Sequence, residues 1–221
     1  MNETHWGGEC QMDGVILAGG KSTRVGKDKA LLRFGGNLLI ELIFLNIKDL
    51  FERVVIVANP VNITRLNSLF YNQIKSRKVQ VITDILPEKG PLGGIYSGLK
   101  ASESDKVFVL ACDMPFTNQK LIRYIVSQSE GYDVVVPHTY RGFEPLHAVY
   151  SKSALKVIEE HLRHNKLKVS SIFGKLKVRF IEECEIRKFD PNLMFLNNLN
   201  TKHELKKFAM QKSGFKIPAS L

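Results

Sequence analysis

The run Leu17-Ala18-Gly19-Gly20-Lys21-Ser22-Thr23-Arg24-Val25-Gly26-Lys27-Asp28-Lys29 has the residue types needed to hold phosphate. It follows a short apolar run, Gly14–Ala18, that reads as a buried strand. Gly19 and Gly20 carry no Cβ, so the backbone there can come close to a ligand and turn its N–H groups toward anionic oxygen. Lys21, Arg24 and Lys29 supply positive charge for the same oxygens. The spacing is neither that of the Walker loop nor that of the three-glycine dinucleotide fingerprint. A glycine pair after a strand is by itself also a common turn, so the charged residues that follow carry the chemical reading.

Carboxylates come next, because transfer of a phosphate-linked group calls for a metal or a hydrogen-bond acceptor rather than a protein nucleophile. Asp113 stands in Leu110-Ala111-Cys112-Asp113-Met114-Pro115-Phe116, directly after an apolar strand. An acid at the end of a buried strand suits Mg2+, which takes one or two carboxylates and completes its shell with phosphate oxygens and water. The alternative for Asp113 is a turn or helix-capping role. Asp84 closes the strand Val79–Thr83 and precedes Pro87-Glu88-Lys89-Gly90-Pro91-Leu92-Gly93-Gly94, which reads as a glycine-rich loop stiffened by proline. A carboxylate at that point can accept from the N–H groups of a base or from ribose hydroxyls. Asn59, after the strand Arg53–Ala58 and before Pro60, is either a turn residue or a nucleotide contact. Glu144, in Phe143-Glu144-Pro145-Leu146-His147-Ala148-Val149-Tyr150, either faces a site or lies on the surface. His138, His147 and His203 are not spaced as metal ligands and are read as ordinary.

Taken together, these stretches resemble the molybdenum cofactor guanylyltransferases, a family of nucleotidyltransferases. That family opens with a strand, Leu-Ala-Gly-Gly, a few residues, Arg, an apolar residue (usually Met), Gly, any residue and Asp-Lys. Val25 holds the apolar position here. The family's Cys-Asp-x-Pro matches Cys112 to Pro115, and the resemblance implies that Asp113 binds Mg2+. It likewise implies that Asp84 contacts the guanosine of GTP and that Gly90, Pro91, Leu92 and Gly93 line the base pocket. Leu17, Ala18, Gly19, Gly20, Lys29 and Asn59 join them in binding the nucleotide. The family's Asn-x-Asn-Thr matches Asn198 to Thr201, with Lys202 where a proline often stands. It implies that Asn198 and Asn200, with Glu144, hold the pterin substrate, although Asn200 or Thr201 equally reads as the cap of a last helix. Lys21, Arg24, Lys29 and Asp113 are the implied catalytic residues. The implied reaction passes GMP from Mg·GTP to the phosphate of molybdenum-bound molybdopterin and releases pyrophosphate. Passing contact with proteins that deliver or receive the cofactor goes with it.

The elements that must position these residues alternate. Helical periodicity over Leu38–Leu50 puts Leu39, Leu42, Ile43 and Ile47 on one side, after an extended stretch Lys29–Phe34. Asn62 is read as capping a helix that runs to Tyr71. The remaining expected helices are Ile95–Ser102, Asn118–Gln128, Ser153–His164 and Thr201–Met210. The remaining expected strands are Lys106–Ala111, Asp133–Pro137, an antiparallel Pro145–Tyr150, and Lys175–Ile181. Near-continuous apolar strands between helices predict a mostly parallel sheet covered on both faces, a three-layer Rossmann-like α/β nucleotidyltransferase fold. Every motif then falls at a strand's carboxyl end, where such folds bind ligands.

Composition agrees. The 221 residues suit one domain over 13–210, with a lead at 1–12 and a tail at 211–221 expected to be disordered. No apolar run is long enough to span a membrane, and the lead has no secretory apolar segment. Three scattered cysteines, Cys10, Cys112 and Cys184, form no disulfide or zinc pattern and point to a reducing cytoplasm, with Cys112 read as a packed thiol. The net charge of +10 favours anionic partners, but the basic residues are dispersed and no aromatic RNA-binding signature accompanies them. Nucleic acid is therefore disfavoured. Transfer from CTP or onto another small phosphate, and a non-catalytic nucleotide- or RNA-binding module, remain the alternatives.

Overall fold

The computed structural model describes residues 12–19, 29–34 and 36–198. Among these described residues the elements in chain order are β1 (Asp13–Ala18), β2 (Arg33–Phe34), β3 (Asn37–Leu38), α1 (Leu39–Ile47), β4 (Val54–Ala58), α2 (Ile63–Leu69), α3 (Tyr71–Lys75), β5 (Val79–Thr83), α4 (Gly90–Ala101), β6 (Lys106–Ala111), α5 (Gln119–Ser127), β7 (Val134–Thr139), β8 (Gly142–Phe143), β9 (His147–Ser151), α6 (Leu155–Arg163), β10 (Val178–Glu182) and α7 (Glu183–Ile186). The main sheet runs β10-β7-β9-β6-β1-β4-β5, with β8 paired to β7. All its neighbours are parallel except around β9, which is antiparallel to β6 and β7, and the short β7–β8 hairpin.

The apolar strands bury both faces, as expected. Along β1, Ile16 and Ala18 face α1, α2, α5 and α7, where Ile43, Ile47, Leu66, Ile122 and Ile186 pack. Val15 and Leu17 face α4 and α6, where Ile95, Leu99, Ile158 and Leu162 pack. The two faces fall out of the period-two alternation of side chains on a strand. The α/β fold is therefore the three-layer, mostly parallel arrangement that the sequence predicts, including the antiparallel strand before Tyr150.

Four local expectations are corrected. Gly90–Gly94 is not a loop but the first turn of α4, which starts five residues before Ile95. Pro91 occupies the first turn, where its missing N–H leaves no gap, and Gly90 takes φ +63°. The glycines serve packing further along: a Cβ on Gly98 would lie 2.6 Å from Val15 Cγ1, and one on Gly94 would lie 3.1 Å from Leu17 Cδ2. Lys29–Phe34 is not wholly extended, because Lys29–Leu31 forms a 3-10 turn before β2. Asn62 makes no capping bond. Asn59 does, accepting from the Val61 N–H at 3.1 Å, and the helix stops at Leu69 before α3 begins. Finally, the helix expected over Leu38–Leu50 is the shorter α1, which ends at Ile47. The expected helix Thr201–Met210 and both termini lie outside the described residues.

Candidate active site

Register brings the strand ends to one edge. Leu17 lies opposite Val57 and Ala111, Ala18 opposite Ala58, and Ala58 opposite Thr83. The residues that follow, Gly19, Asn59, Asp84 and Cys112-Asp113, therefore line that edge together. The chain moves outward from β1 through β4 to β5, then returns to β6 on the other side of β1. Such a reversal opens a crevice beyond the carboxyl ends of the two central strands, here between Gly19 and Asp113. The Cys112 N–H donates to Leu17 O at 3.1 Å, which sets the half-exposed Asp113 beside the end of β1. A Cβ on exposed Gly19 would stand 3.6 Å from the Asn59 amide nitrogen, so the β1 and β4 ends are close.

Asp84 is held from below. Its Oδ1 accepts from the Ser97 hydroxyl at 2.7 Å and from the Leu86 N–H at 3.0 Å. Ser97, fully buried on α4, also accepts from the Ile85 N–H at 2.9 Å and lies 2.9 Å from Gly93 O. Among the described residues Oδ2 accepts no hydrogen bond, and a Cβ on Gly93 would come to 3.4 Å from it. Glycine at 93 thus keeps open the space beside the carboxylate oxygen that is free for a ligand. Pro91 and Leu92 lie in the same turn of α4, with Leu92 buried in the core.

On the other side of β6 stands the connection from β8 to β9. Glu144 is half-buried there, and its N–H donates to Pro137 O at 3.0 Å. Burial pushes its carboxyl above the usual range, against the pull of the Arg141 charge. Arg141 in turn donates to Leu196 O at 3.2 Å, and Phe195 meets the His147 ring at 5.0 Å between centroids. These contacts fasten the segment that leads to exposed Asn198 against the start of β9. His147 is fully buried, with both ring nitrogens unpartnered among the described residues, and burial lowers its pKa to about 3.

The edge therefore brings together Leu17, Ala18, Gly19, Asn59, Asp84 and Asp113, with Gly90, Pro91, Leu92 and Gly93 behind Asp84 and Glu144 on the far side of β6. Gly20, Lys21, Arg24, Asp28 and Asn200 lie outside the described residues, as does the side chain of Lys29. Ser97 and Arg141 neighbour the candidate site and are passed over by motif reading, and His147, which lies inside the stretch Phe143–Tyr150, is read there as ordinary. Ser97 belongs to a face of small residues with Gly93, Gly94 and Gly98, and His147 alternates with the apolar Val149; those two patterns were the available signals. A cavity of about 1110 Å3 opens at the opposite, amino edge of the sheet, among Asp13, Arg53, Arg77, Lys78 and Lys106. No candidate residue lines it, and Arg53 there is already paired with Asp13 and Glu103.

Known proteins share this chain's sequence and fold. Residues 14–178 match the family model described as the MobA-like NTP transferase domain. A molybdenum cofactor guanylyltransferase of Desulfosudis oleivorans is 39% identical over 88% of this chain and 92% of its own length. A probable molybdenum cofactor guanylyltransferase of Pelotomaculum thermopropionicum is 38% identical over 89% of this chain and 91% of its own. The crystal structure of a molybdopterin-guanine dinucleotide biosynthesis protein A from Archaeoglobus fulgidus superposes with TM-score 0.73 at 25% identity, covering 91% of this chain and 100% of that one. The chain belongs to the MobA-like NTP transferase family of nucleotidyltransferases.

Proposed function

We propose that this chain is a molybdenum cofactor guanylyltransferase. It transfers GMP from Mg·GTP to the terminal phosphate of molybdenum-bound molybdopterin. A phosphate oxygen of the acceptor attacks the α-phosphorus, the new P–O bond forms, and the bond to the β-phosphate oxygen breaks to release pyrophosphate. The observation that carries this reading is the placement of Asp113 and Gly19 on either side of the β1–β6 crevice, with Asp84 two strands away. Strands lie about 4.8 Å apart, so Asp84 stands roughly 10 Å along the edge from β1, comparable to the span of a nucleoside from α-phosphate to base.

The donor set suits Mg2+. Among the described residues no three His, Cys, Asp or Glu side chains cluster as a closed cage. One half-exposed carboxylate facing a triphosphate is what Mg2+ uses when phosphate and water complete its shell. Asp113 would hold it, and the ion when bound neutralises charge developing on the phosphate oxygens. Lys21, Arg24 and Lys29 would add fixed positive charge there. Asp84 Oδ2 would accept from the guanine N–H groups. Glu144, Asn198 and Asn200 would hold the acceptor. A reducing cytoplasm fits Cys112 and Cys184, which form no disulfide among the described residues, and passing contact with proteins that deliver or receive the cofactor belongs to the same reading.

Turnover of GTP, CTP and ATP with the molybdopterin acceptor tests the proposal. A site built to pair with a donor edge penalises the base that lacks it, by factors that reach about 10⁴. We expect kcat/KM for GTP to exceed the other two by at least about a hundredfold. Equal use of CTP and GTP would overturn the guanine assignment.

A further inference from the structure

The positive charge of the chain is more concentrated than the dispersal expected from the sequence. Between Lys152 and Arg179 stand eight basic residues and two acidic ones, which supply more than half of the net +10. Contacts of the fold use part of this set. Arg163 pairs with Glu159 and Lys175 with Glu160, each at 2.7 Å, so neither acid on α6 is left to answer another cation. Lys152 donates to Glu103 O at 3.3 Å, Lys177 lies over the Tyr132 ring, and Arg179 pairs with Glu185. Lys156, Lys166 and Lys168 remain. All three are exposed, and among the described residues none has a side-chain partner.

The frame under these lysines is fixed and lies beside the candidate site. Strand β9 is antiparallel to its neighbours, so α6, which follows it, runs back toward the edge that holds Asp84 and Asp113. The end of α6 is closed by Asn165 at φ +54°, whose N–H donates to Leu162 O at 3.2 Å, and by the Lys166 N–H, which donates to His161 O at 2.9 Å. Asn165 Oδ1 also accepts from the Lys89 ammonium at 3.1 Å, which ties this loop to the start of α4. Leu167 packs against the core between Lys166 and Lys168, and the Lys168 C=O accepts from the Ser171 N–H at 3.0 Å. Two exposed ammonium groups thus stand on an anchored backbone at the rim of the strand-end edge. Lys156 lies two helical turns from the end of α6, about 10 Å along its axis.

The chemistry of this strip narrows its partner. Ammonium groups spread over a helix face and a loop do not converge on one small anion, so they address an extended anionic surface. None of the exposed large apolar side chains, Val61, Tyr71, Ile85, Tyr140 and Phe143, lies between Lys152 and Arg179. Without exposed Phe, Tyr or Trp rings the strip offers no stacking platform for bases, and without apolar groups it has nothing to bury in a membrane. Lysine is a compact, strongly hydrated charge, and it is depleted in the buried centres of lasting interfaces, so the contact is a transient one. We infer that the strip formed by Lys156, Lys166 and Lys168 is a docking surface for a protein that presents a carboxylate-rich face, and that it steers this protein to the rim of the strand-end site. The inference goes beyond guanylyl transfer and does not depend on it.

The test uses the full chain and three probes: a labelled oligoglutamate peptide, a single-stranded RNA oligonucleotide, and phosphatidylserine vesicles. Two triple reversals of equal net charge are compared, Lys156→Glu/Lys166→Glu/Lys168→Glu and a control at exposed lysines elsewhere, Lys48→Glu/Lys75→Glu/Lys188→Glu. Wild type should bind oligoglutamate, and the strip reversal should weaken that binding by about tenfold or more while the control stays within about twofold. Rising salt should weaken wild type more steeply than the strip reversal. Melting temperature and nucleotide turnover should match wild type in both. If the strip reversal fails to fold, Lys156→Gln/Lys166→Gln/Lys168→Gln, which removes charge without adding any, should show the same loss of binding. A wild type that does not bind oligoglutamate overturns the inference, and so do two reversals that weaken binding alike, because total charge and not the strip then accounts for it. RNA or vesicle binding that exceeds oligoglutamate binding and is lost with the strip also overturns it, since the partner is then nucleic acid or membrane. Probe binding is measured without GTP. A chain that passes this test but transfers nothing therefore counts against guanylyl transfer alone.

Discussion

The Ser97 hydroxyl, buried on α4, donates to Asp84 Oδ1 at 2.7 Å across the turn that joins β5 to that helix. One carboxylate oxygen is thereby committed to the fold, and Oδ2 stands beside Gly93, where the proposed base contact would fall. The bond fixes the carboxylate's rotation, so the binding proposed for Asp84 need not order it.

Removing that hydroxyl should be felt twice. Ser97→Ala leaves the Ile85 N–H without its 2.9 Å acceptor and frees Asp84 to turn. A buried donor left unpaired costs about 1–3 kcal/mol, read as a lower urea midpoint. The KM for GTP should rise severalfold while the KM for the acceptor holds. A variant with normal GTP affinity would show that Asp84 orientation does not depend on Ser97.

Gly98→Ala should destabilise the chain without touching the strand-end residues. The new Cβ would sit 2.6 Å from Cγ1 of the fully buried, β-branched Val15, which has little rotamer freedom to yield. Overpacking of this kind costs about 1–3 kcal/mol. Pairing it with Val15→Ala should recover part of the loss, giving a favourable coupling in a double-mutant cycle. Strict additivity of the two changes would mean that α4 shifts away from β1 instead.

How far these relationships could be read from the sequence differs from place to place. The strands β4 and β6 are continuous apolar runs, and their order and parallel pairing follow from alternation with helices. The place of Asp113 just past the end of β6 was legible because an acid there follows an apolar run that reads as a buried strand. The stretch Gly90–Gly94 was misread because glycine and proline are the commonest loop signals. What overrode local propensity was tertiary packing: Gly94 lets α4 lie against Leu17, as Gly98 further along lets it lie against Val15. Ser97 was passed over because it belongs to no motif, and His147 was read as ordinary because it is not spaced as a metal ligand. Their roles arise from partners distant in sequence, Asp84 for the one and Phe108 and Phe195 for the other. Long-range pairing of that kind leaves only a weak trace in the spacing of residues.

His147 should make the protein sensitive to acid in a defined window. Burial lowers its folded-state pKa to about 3 from the ordinary 6.5. The unfolded chain therefore takes a proton as pH falls below 6.5, and the folded chain does not. Stability from this group is complete above pH 6.5 and declines toward pH 3, by up to about 1.4 kcal/mol per pH unit. His147→Phe keeps an aromatic ring between Phe108 and Phe195 and removes both unpartnered nitrogens. Urea midpoints measured from pH 7 to pH 4 should converge or cross in favour of the variant as pH drops. Parallel curves for the two chains would place the acid sensitivity elsewhere, for instance at Asp13. Burial alone would raise the Asp13 carboxyl, but bonds from Ser102, Arg53 and the Glu103 N–H outweigh it and hold the carboxyl below its usual 3.8.

Asp113→Asn separates folding from chemistry most directly. Asp113 follows β6 in a turn whose backbone is set by the Cys112 N–H to Leu17 O bond and the Met114 N–H to Ala111 O bond, at 3.1 and 3.2 Å. The amide has the size and shape of the carboxylate and neither backbone bond changes, so it should fit the same turn and the melting temperature should stay close to wild type. The amide is a weak ligand for a hard cation, and the charge stabilisation lost at the phosphates is worth several kcal/mol, so kcat should drop by roughly 10³ or more. GTP should still bind, since Asp84 and the glycine run remain. Wild type stripped with a chelator should fall to the level of the variant, and restored Mg2+ should revive wild type alone. If the variant turns over at the wild-type rate with the same Mg2+, the metal is held by other groups. If it unfolds, the carboxylate serves the turn and not the reaction.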